Sequence, residues 1–294
     1  MTFILGVMSK HTVWLLADRR LSWENRPPRD DARKVMSIKT SDAVAILGYA
    51  GLGETAQGTE PSDWMSRVLR GRNWTLEQSL GAIAGSMQKE LPRHLQGLNP
   101  EGFSAHHVIA LAFVKNIPRL YSIDLELSPD RKKQFFRYTR HECNAPPTAP
   151  RPPRIVLAGS GGSYATRFRT LWKREILRLV NAHDEGKISA RAVADHLALL
   201  NHEVHSIDPF TGPNCIVMWS YRKDGFYKGG GGHEFYIGMK RAQSPFIPSI
   251  VNGIDMQALG QEMLAQMREC GHVRPDKINA LLAGLPHFPD EGLR

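Results

Sequence analysis

Three residues near the start of the chain have side chains suited to nucleophilic chemistry. Thr2 follows Met1, Asp18 ends an apolar run, and Lys34 opens another. Removal of Met1 gives Thr2 a free α-amine with a pKa of about 8, which can take the proton from the threonine hydroxyl at neutral pH. A buried lysine can stabilise the deprotonated hydroxyl, and a carboxylate can hold that lysine in place. These residues are candidates for an N-terminal threonine nucleophile, although Thr2 taken alone is more simply the second residue of a chain.

Three later motifs supply groups that such a nucleophile needs. The segment GYAGLG, at 48–53, brings backbone N–H groups to a strand end, where they suit an oxyanion hole. The segment GSGG puts Ser160 at a turn from a strand into a helix. The segment DPFTG puts Asp208 and Thr211 three residues apart in a tight loop. The chemistry is therefore predicted to be assembled from distant parts of the chain.

Alternating groups of strands and helices must position these motifs. Hydrophobic periodicity predicts strands over 3–8, 12–17, 35–38, 43–47, 108–114, 119–123, 135–139, 155–158 and 215–220. It predicts helices over 62–69, 75–91, 164–180 and 190–205. Paired helices between runs of strands favour an α+β fold, a four-layer αββα sandwich, over a parallel βαβ sheet.

The end of the chain has a different pattern. The GGGG run at 229–232 indicates a tight turn or a flexible segment. Beyond it, Met256, Leu259, Met263 and Met267 recur at helical spacing. The sequence predicts a main domain over residues 2–244 and a helical extension over 245–294, which either packs on the core or contacts another subunit.

Composition limits the classes of protein. Of the 294 residues, 41% are apolar and 23% are charged, which excludes wholesale disorder. The formal charge of +9 allows an acidic partner, but the interleaved aromatics of a nucleic-acid platform are missing. The three cysteines are scattered, with no zinc spacing, as is usual in a reducing cytoplasm. The apolar start indicates a buried strand rather than a signal peptide, and no run reaches membrane-helix length. We expect a cytoplasmic protein with no membrane span.

The motifs together resemble the proteasome β-subunit family of N-terminal nucleophile hydrolases, including its bacterial relatives. Sixteen positions lead from Thr2 to Asp18 and sixteen more to Lys34, which matches the family spacing. The family's DxR is similar to residues 18–20, its GSG to residues 159–161, and its DxxSG to residues 208–212, where threonine replaces serine. In this resemblance Gly51 is the oxyanion-hole glycine.

The resemblance covers residues 2–228 and implies a threonine-type peptidase on an N-terminal nucleophile sandwich. It implies that Ser160, Asp208 and Thr211 act around the N-terminal amine, and that no metal or organic cofactor is needed. Arg20 and Tyr49 fall where the family lines the pocket for the residue before the scissile bond, and the bulky Tyr49 could narrow that pocket. Peptides or unfolded proteins are the implied substrates, and a stacked homo-oligomeric ring is the implied assembly. The sequence leaves an ATPase partner open.

Other functions remain open at this point. The same fold could hydrolyse small amides, with the pocket altered around Tyr49. A non-catalytic ring or scaffold would retain Met1 and so block the amine. A basic nucleic-acid-binding protein would bind with strong salt dependence. GSGG lacks the GK[ST] of a phosphate-binding P-loop. The adjacent His106 and His107 open a strand, so one ring is expected to be packed and the other exposed.

Overall fold

Two β-sheets stack against each other, with helices on both outer surfaces. The computed structural model describes residues 2–22, 27–51, 59–94, 106–127, 134–141, 154–167, 169–223, 226–234 and 247–273, together with 275, 276 and 278. The strands are β1 Ile4–Met8, β2 Thr12–Asp18, β3 Val35–Lys39, β4 Ala43–Ala50, β5 His107–Val114, β6 Ile117–Leu127, β7 Gln134–His141, β8 Arg154–Ala158, β9 Cys215–Lys223, β10 Phe226–Glu234, β11 Ser249–Val251 and β12 Ile254–Asp255. The helices are α1 Pro61–Leu69, α2 Leu76–His94, α3 Ser160–Arg167, α4 Arg169–Asp184, α5 Ala190–Ile207 and α6 Met256–Cys270.

The first sheet has the strand order β10-β9-β2-β1-β8. All of its neighbouring strands are antiparallel. The strands predicted over 3–8 and 12–17 form as β1 and β2 and pair as a hairpin, with Ile4 opposite Ala17. On its other side Ile4 lies opposite Ala158 of β8. This register places Thr2, just before β1, beside the residues that follow β2 and β8.

The second sheet has the strand order β12-β11-β3-β4-β5-β6-β7. The strands predicted over 35–38 and 43–47 form as β3 and β4 and pair as a hairpin, with Val35 opposite Gly48. Its strands are antiparallel except for β11, which runs parallel to β3. Lys34 directly precedes β3, and Gly51 directly follows β4. Lys34 and Gly51 therefore lie at the same end of two neighbouring strands of this sheet.

Three layers of apolar contact hold the sandwich together, because successive strand side chains point to opposite faces. Leu5 and Val7 of β1 pack against α4 and α5, whereas Ile4 packs between the sheets. On the other surface α1 and α2 cover the second sheet, with Met65 and Leu80 fully buried. The α+β fold, a four-layer αββα sandwich with a helix in its C-terminal extension, is confirmed.

Local differences from the sequence expectations occur in the second half. The helix predicted over 164–180 is two helices, α3 and α4. The GGGG run at 229–232 was predicted to be a tight turn or a flexible segment, and the tight turn is wrong, because the run lies within β10 and pairs with β9 from Gly229 opposite Ser220 to Gly232 opposite Val217. Residues 249–255 add β11 and β12 to the second sheet before α6 begins. The division of the chain at residue 245 stays a prediction.

Candidate active site

A lysine, an aspartate and a threonine meet at the edge of the two sheets. Lys34 Nζ donates hydrogen bonds to Thr2 Oγ1 and to Asp18 Oδ1, each at 3.0 Å. Thr2 and Lys34 are each 1% exposed, and Asp18 is fully buried. An ammonium in contact with a hydroxyl, away from water, favours the deprotonated hydroxyl. The residues expected to act on one another are therefore brought together.

Asp18 receives four hydrogen bonds. Its Oδ1 accepts from Phe3 N at 2.8 Å and from Lys34 at 3.0 Å. Its Oδ2 accepts from Arg20 N at 2.9 Å and from Gly212 N at 3.1 Å. A carboxylate with two donors on each oxygen is held in one orientation. Asp18 is thus placed to orient Lys34.

The Lys34 ammonium is both buried and paired. Burial lowers the pKa of Lys34, and the attraction of Asp18 only partly offsets this effect. The third acceptor for Lys34 Nζ is the carbonyl oxygen of Arg20, at 2.6 Å. These acceptors fix the direction of the ammonium, so its remaining contact is directed at the Thr2 hydroxyl.

The neighbouring residue Arg33 anchors the start of β3. Its Nε donates to Glu60 Oε2 at 2.9 Å, and its Nη2 donates to Asp63 Oδ2 at 2.7 Å. Glu60 Oε2 also accepts from Arg33 N at 3.0 Å. Because Asp63 lies in the first turn of α1, this network ties the strand that carries Lys34 to the outer helix layer.

Close packing brings the GSGG turn against Thr2. Gly159 has φ +82°, and a Cβ added there would lie 1.8 Å from the Thr2 carbonyl oxygen. A Cβ added at Gly161 would lie 2.5 Å from Phe3 Cβ. Glycine is required at 159 for its backbone conformation and for this contact. Ser160, between these glycines, is thereby placed next to the start of β1.

The DPFTG loop completes the surroundings of Ser160. Asp208 Oδ2 accepts from Thr211 Oγ1 at 2.6 Å and from Ser160 Oγ at 3.3 Å. Asp208 and Thr211 are fully buried. The ring nitrogen Nδ1 of His205 donates to the Thr211 carbonyl at 2.7 Å, which fastens the loop to the end of α5. The structure thus joins the three residues that the sequence grouped around the amine.

Arg20 is engaged with the protein itself. Its Nε and Nη2 form a fork with Asp30 at 2.8 and 2.9 Å, and Nη1 donates to the Pro209 carbonyl at 2.7 Å. The hydrogen bond to Asp30 is the main reason that the pKa of Arg20 is raised. Arg20 therefore links the end of β2 to the DPFTG loop. Its role in lining a substrate pocket stays a prediction.

Tyr49 and Gly51 occupy the exit of β4. Tyr49 is 4% exposed and packs edge-on against Trp64, with ring centroids 6.3 Å apart. Its hydroxyl is 2.7 Å from His106 Nδ1. Gly51 has φ +132°, and residues 52–58, which continue the GLG segment, lie outside the described residues. Tyr49 N donates to the Lys34 carbonyl at 2.9 Å, so this exit lies beside the lysine.

The sequence did not single out two residues as part of the site. Asp30 holds Arg20, but it lies in a polar loop whose spacing gave no signal. His106 is 3% exposed and contacts Tyr49, whereas His107 is partly exposed and contacts Asp124. The expectation of one packed and one exposed ring is confirmed for the packed His106, whereas His107 is only partly exposed. The pairing of His106 with Tyr49 needed the register of β4 and β5.

Neither a metal centre nor a membrane span emerges from the described part of the chain. Within it, no three His, Cys, Asp or Glu side chains are arranged to hold a metal ion. Among the same residues, no helix has the length and apolar character needed to cross a bilayer. The fold and the site define an αββα protein with a buried Thr–Lys–Asp cluster at the start of its first strand.

Comparisons with known proteins find similar solved structures but no matching family. No protein-family model matches the chain, and no curated protein matches it. A similar solved structure is a helical assembly of the Anbu complex from Pseudomonas aeruginosa, 11% identical over 98% of each chain, with a TM-score of 0.48. Another is eukaryotic HslV from Trypanosoma brucei, 19% identical over 75% of this chain and 99% of that chain, with a TM-score of 0.37. Both structural similarities are weak. The architecture is therefore defined by the strand order and the layers described above.

Proposed function

We propose that this protein is an N-terminal threonine hydrolase that cleaves amide bonds, with Thr2 as the nucleophile after removal of Met1. The observation that carries the proposal is the 3.0 Å contact between Lys34 Nζ and Thr2 Oγ1, in a cluster that Asp18 orients and that is almost closed to water. A structural lysine needs only its carboxylate partner. The directed contact with a hydroxyl next to a potential free amine is what a nucleophile requires.

In the first step the neutral Thr2 amine takes the proton from Thr2 Oγ1, directly or through a water molecule. The oxygen attacks the substrate carbonyl, and Lys34 stabilises the charge on Oγ1 as it develops. Asp18 holds Lys34 in place. The carbonyl oxygen becomes an oxyanion, which we assign to the Gly51 N–H.

In the second step the C–N bond of the substrate breaks. The proton held by the Thr2 amine passes to the leaving nitrogen, and an ester between Oγ1 and the acyl group remains. A water molecule then gives a proton to the amine and attacks the ester, which releases the acid and restores Thr2. No cofactor enters the balance of this reaction.

Ser160, Asp208 and Thr211 are assigned to positioning the amine. Their mutual hydrogen bonds support this assignment, as does the contact of Gly159 with the Thr2 backbone. Arg20 contributes by tying the loop of Asp208 to the end of β2.

Peptides or unfolded proteins are the substrates we propose, with Tyr49 limiting the pocket for the residue before the scissile bond. We also propose that the protein acts as a homo-oligomeric ring, as the sequence resemblance implies. A shared chamber in such a ring would restrict access to extended chains. The test substrates are therefore short peptides carrying a fluorogenic amide.

The test is the intact mass of the purified protein, with and without a peptide epoxyketone, which reacts with both the hydroxyl and the free amine of an N-terminal threonine. We expect loss of the Met1 mass and one adduct per chain, with no adduct in Thr2→Ala. A Thr211→Val variant should process normally but label slowly, because it keeps Thr2 and loses one hydrogen bond to Asp208. Retention of Met1 by the purified protein would contradict the proposal and favour a scaffold. Loss of Met1 with no adduct, and with cleavage of small amides only, would restrict the function to small substrates.

A further inference from the structure

We propose that His106 is a positioning residue for this reaction, one that sets the oxyanion glycine and the acyl pocket together and restricts the pocket to small side chains. The inference deepens the proposed function and rests on it. His106 touches both Gly51 and Tyr49, and no step of the reaction described above uses it. It lies immediately before β5, outside the motifs that define the nucleophile.

His106 forms a wall behind Gly51. A Cβ added at Gly51 would lie 2.4 Å from His106 Nδ1, 2.9 Å from His106 Cγ and 3.1 Å from His106 Cα. The ring and the backbone of His106 therefore both pack closely against Gly51 and leave no room for a Cβ. With φ +132°, Gly51 holds a conformation that residues with a Cβ rarely adopt. The direction of the Gly51 N–H thus depends on where His106 lies.

The same ring holds Tyr49. The Tyr49 hydroxyl is 2.7 Å from His106 Nδ1, and both side chains are nearly closed to water. The Trp64 ring packs edge-on against the Tyr49 ring. Tyr49 lies in β4 and Gly51 directly follows that strand, and the same His106 nitrogen lies against both positions. One imidazole therefore fixes both the glycine that is assigned to the oxyanion and the tyrosine that is assigned to the pocket for the residue before the scissile bond.

The imidazole does this as a neutral group. Burial, and secondarily the neighbouring His107, lowers the pKa of His106 to about 4. At neutral pH the ring offers one donor and one acceptor and carries no charge. It can bond the Tyr49 hydroxyl without changing the electrostatics of the oxyanion.

The consequence for the substrate follows from Tyr49. Held by His106 at its hydroxyl and by Trp64 at its ring, Tyr49 cannot turn aside to admit a large side chain. We therefore expect alanine, serine or glycine before the scissile bond, in preference to leucine or phenylalanine. Releasing the hydroxyl should admit larger side chains.

The experiment compares His106→Asn with His106→Leu. The two side chains branch alike, but only asparagine keeps a polar atom near the place of Nδ1. Fluorogenic peptides with Ala or Phe before the scissile bond give kcat and KM separately. We expect H106L to lower kcat on the Ala peptide about tenfold, as for loss of one buried hydrogen bond, and to reduce the preference for Ala over Phe. H106N should stay within about threefold of the parent.

Two further variants complete the test. Tyr49→Phe removes only the hydroxyl, so it should reproduce H106L, and the double variant should be no worse than either single one. His11→Asn, at an exposed turn, is the control and should behave as the parent. If H106L fails to fold, Y49F carries the test alone. Equal kcat in H106L and H106N, or an unchanged Ala-to-Phe ratio in Y49F, overturns the inference while Thr2 still forms its adduct. Absence of the adduct in the parent instead overturns the proposed function.

Discussion

The four hydrogen bonds to Asp18 allow a sharp test by Asp18→Asn. This substitution keeps the shape of the side chain and turns one carboxylate oxygen into an NH2 group. In either amide orientation the NH2 faces two donors, since Oδ1 meets Phe3 N and Lys34 Nζ, and Oδ2 meets Arg20 N and Gly212 N. Asparagine therefore cannot satisfy this site by flipping.

The expected loss of stability follows from these contacts. A buried donor left without an acceptor costs about 1–3 kcal/mol, and D18N leaves at least two of them facing the amide NH2. Removing one partner of a buried ion pair costs about 3–5 kcal/mol in total, and the depressed pKa of Lys34 lets that lysine relieve part of the cost by releasing its proton. We expect D18N to lower the free energy of unfolding by about 4 kcal/mol.

Lys34→Met is the matched comparison. It removes the charge and the contact with Thr2, but Asp18 keeps its three backbone donors. We expect K34M to be more stable than D18N by about 1–2 kcal/mol, although both should lose the Thr2 adduct. Urea unfolding followed by tryptophan fluorescence measures the difference. If D18N proves as stable as K34M or more so, the backbone donors do not fix Asp18 in the way argued here.

Two further predictions concern glycine and histidine. Gly159→Ala should destabilise the protein by more than Gly186→Ala and slow adduct formation, because both have positive φ but an added Cβ meets Thr2 only at Gly159; equal thermal unfolding shifts would contradict this. The pKa of His106 is lowered from 6.5 to about 4, so the unfolded chain binds its proton first as the pH falls. The stability present above pH 6.5 is lost as the pH falls towards 4. Between pH 7 and pH 5, the parent should lose about 2 kcal/mol more than H106N in urea unfolding, and equal losses would refute the linkage.

Short-range patterns in the sequence were enough for most of the architecture. Both hairpins, β1 with β2 and β3 with β4, follow from apolar runs separated by polar turns. The start of α2 follows from Thr75 and Gln78, whose side chains bond each other's backbone N–H groups at 3.3 and 3.0 Å. In these cases one stretch of chain contains the whole cause of its own structure.

Sequence-based prediction failed for strands that form only because another strand pairs with them. The run at 229–232 has no side chains to indicate a strand, and it becomes one because β9 offers a continuous ladder of backbone partners. The β11 strand is too short to be recognised alone, and it forms by pairing with β3. The roles of Asp30 and His106 depend in the same way on which residues the sheets bring opposite them.

The same distinction applies to the proposed site, whose residues could be predicted from the sequence although not all of their contacts could. The β1–β2 hairpin sets the spacing of Thr2 and Asp18, whereas Lys34 follows a long loop and its place beside them was predicted from the family resemblance. What spacing cannot express is that Asp18 also accepts from Gly212, a contact across 194 positions of the chain. This bond ties the loop of Asp208 to the carboxylate that orients Lys34. Any change that moves that loop is therefore expected to affect both the orientation of Lys34 and the positioning of the Thr2 amine. Substitutions in the loop should not affect one without the other.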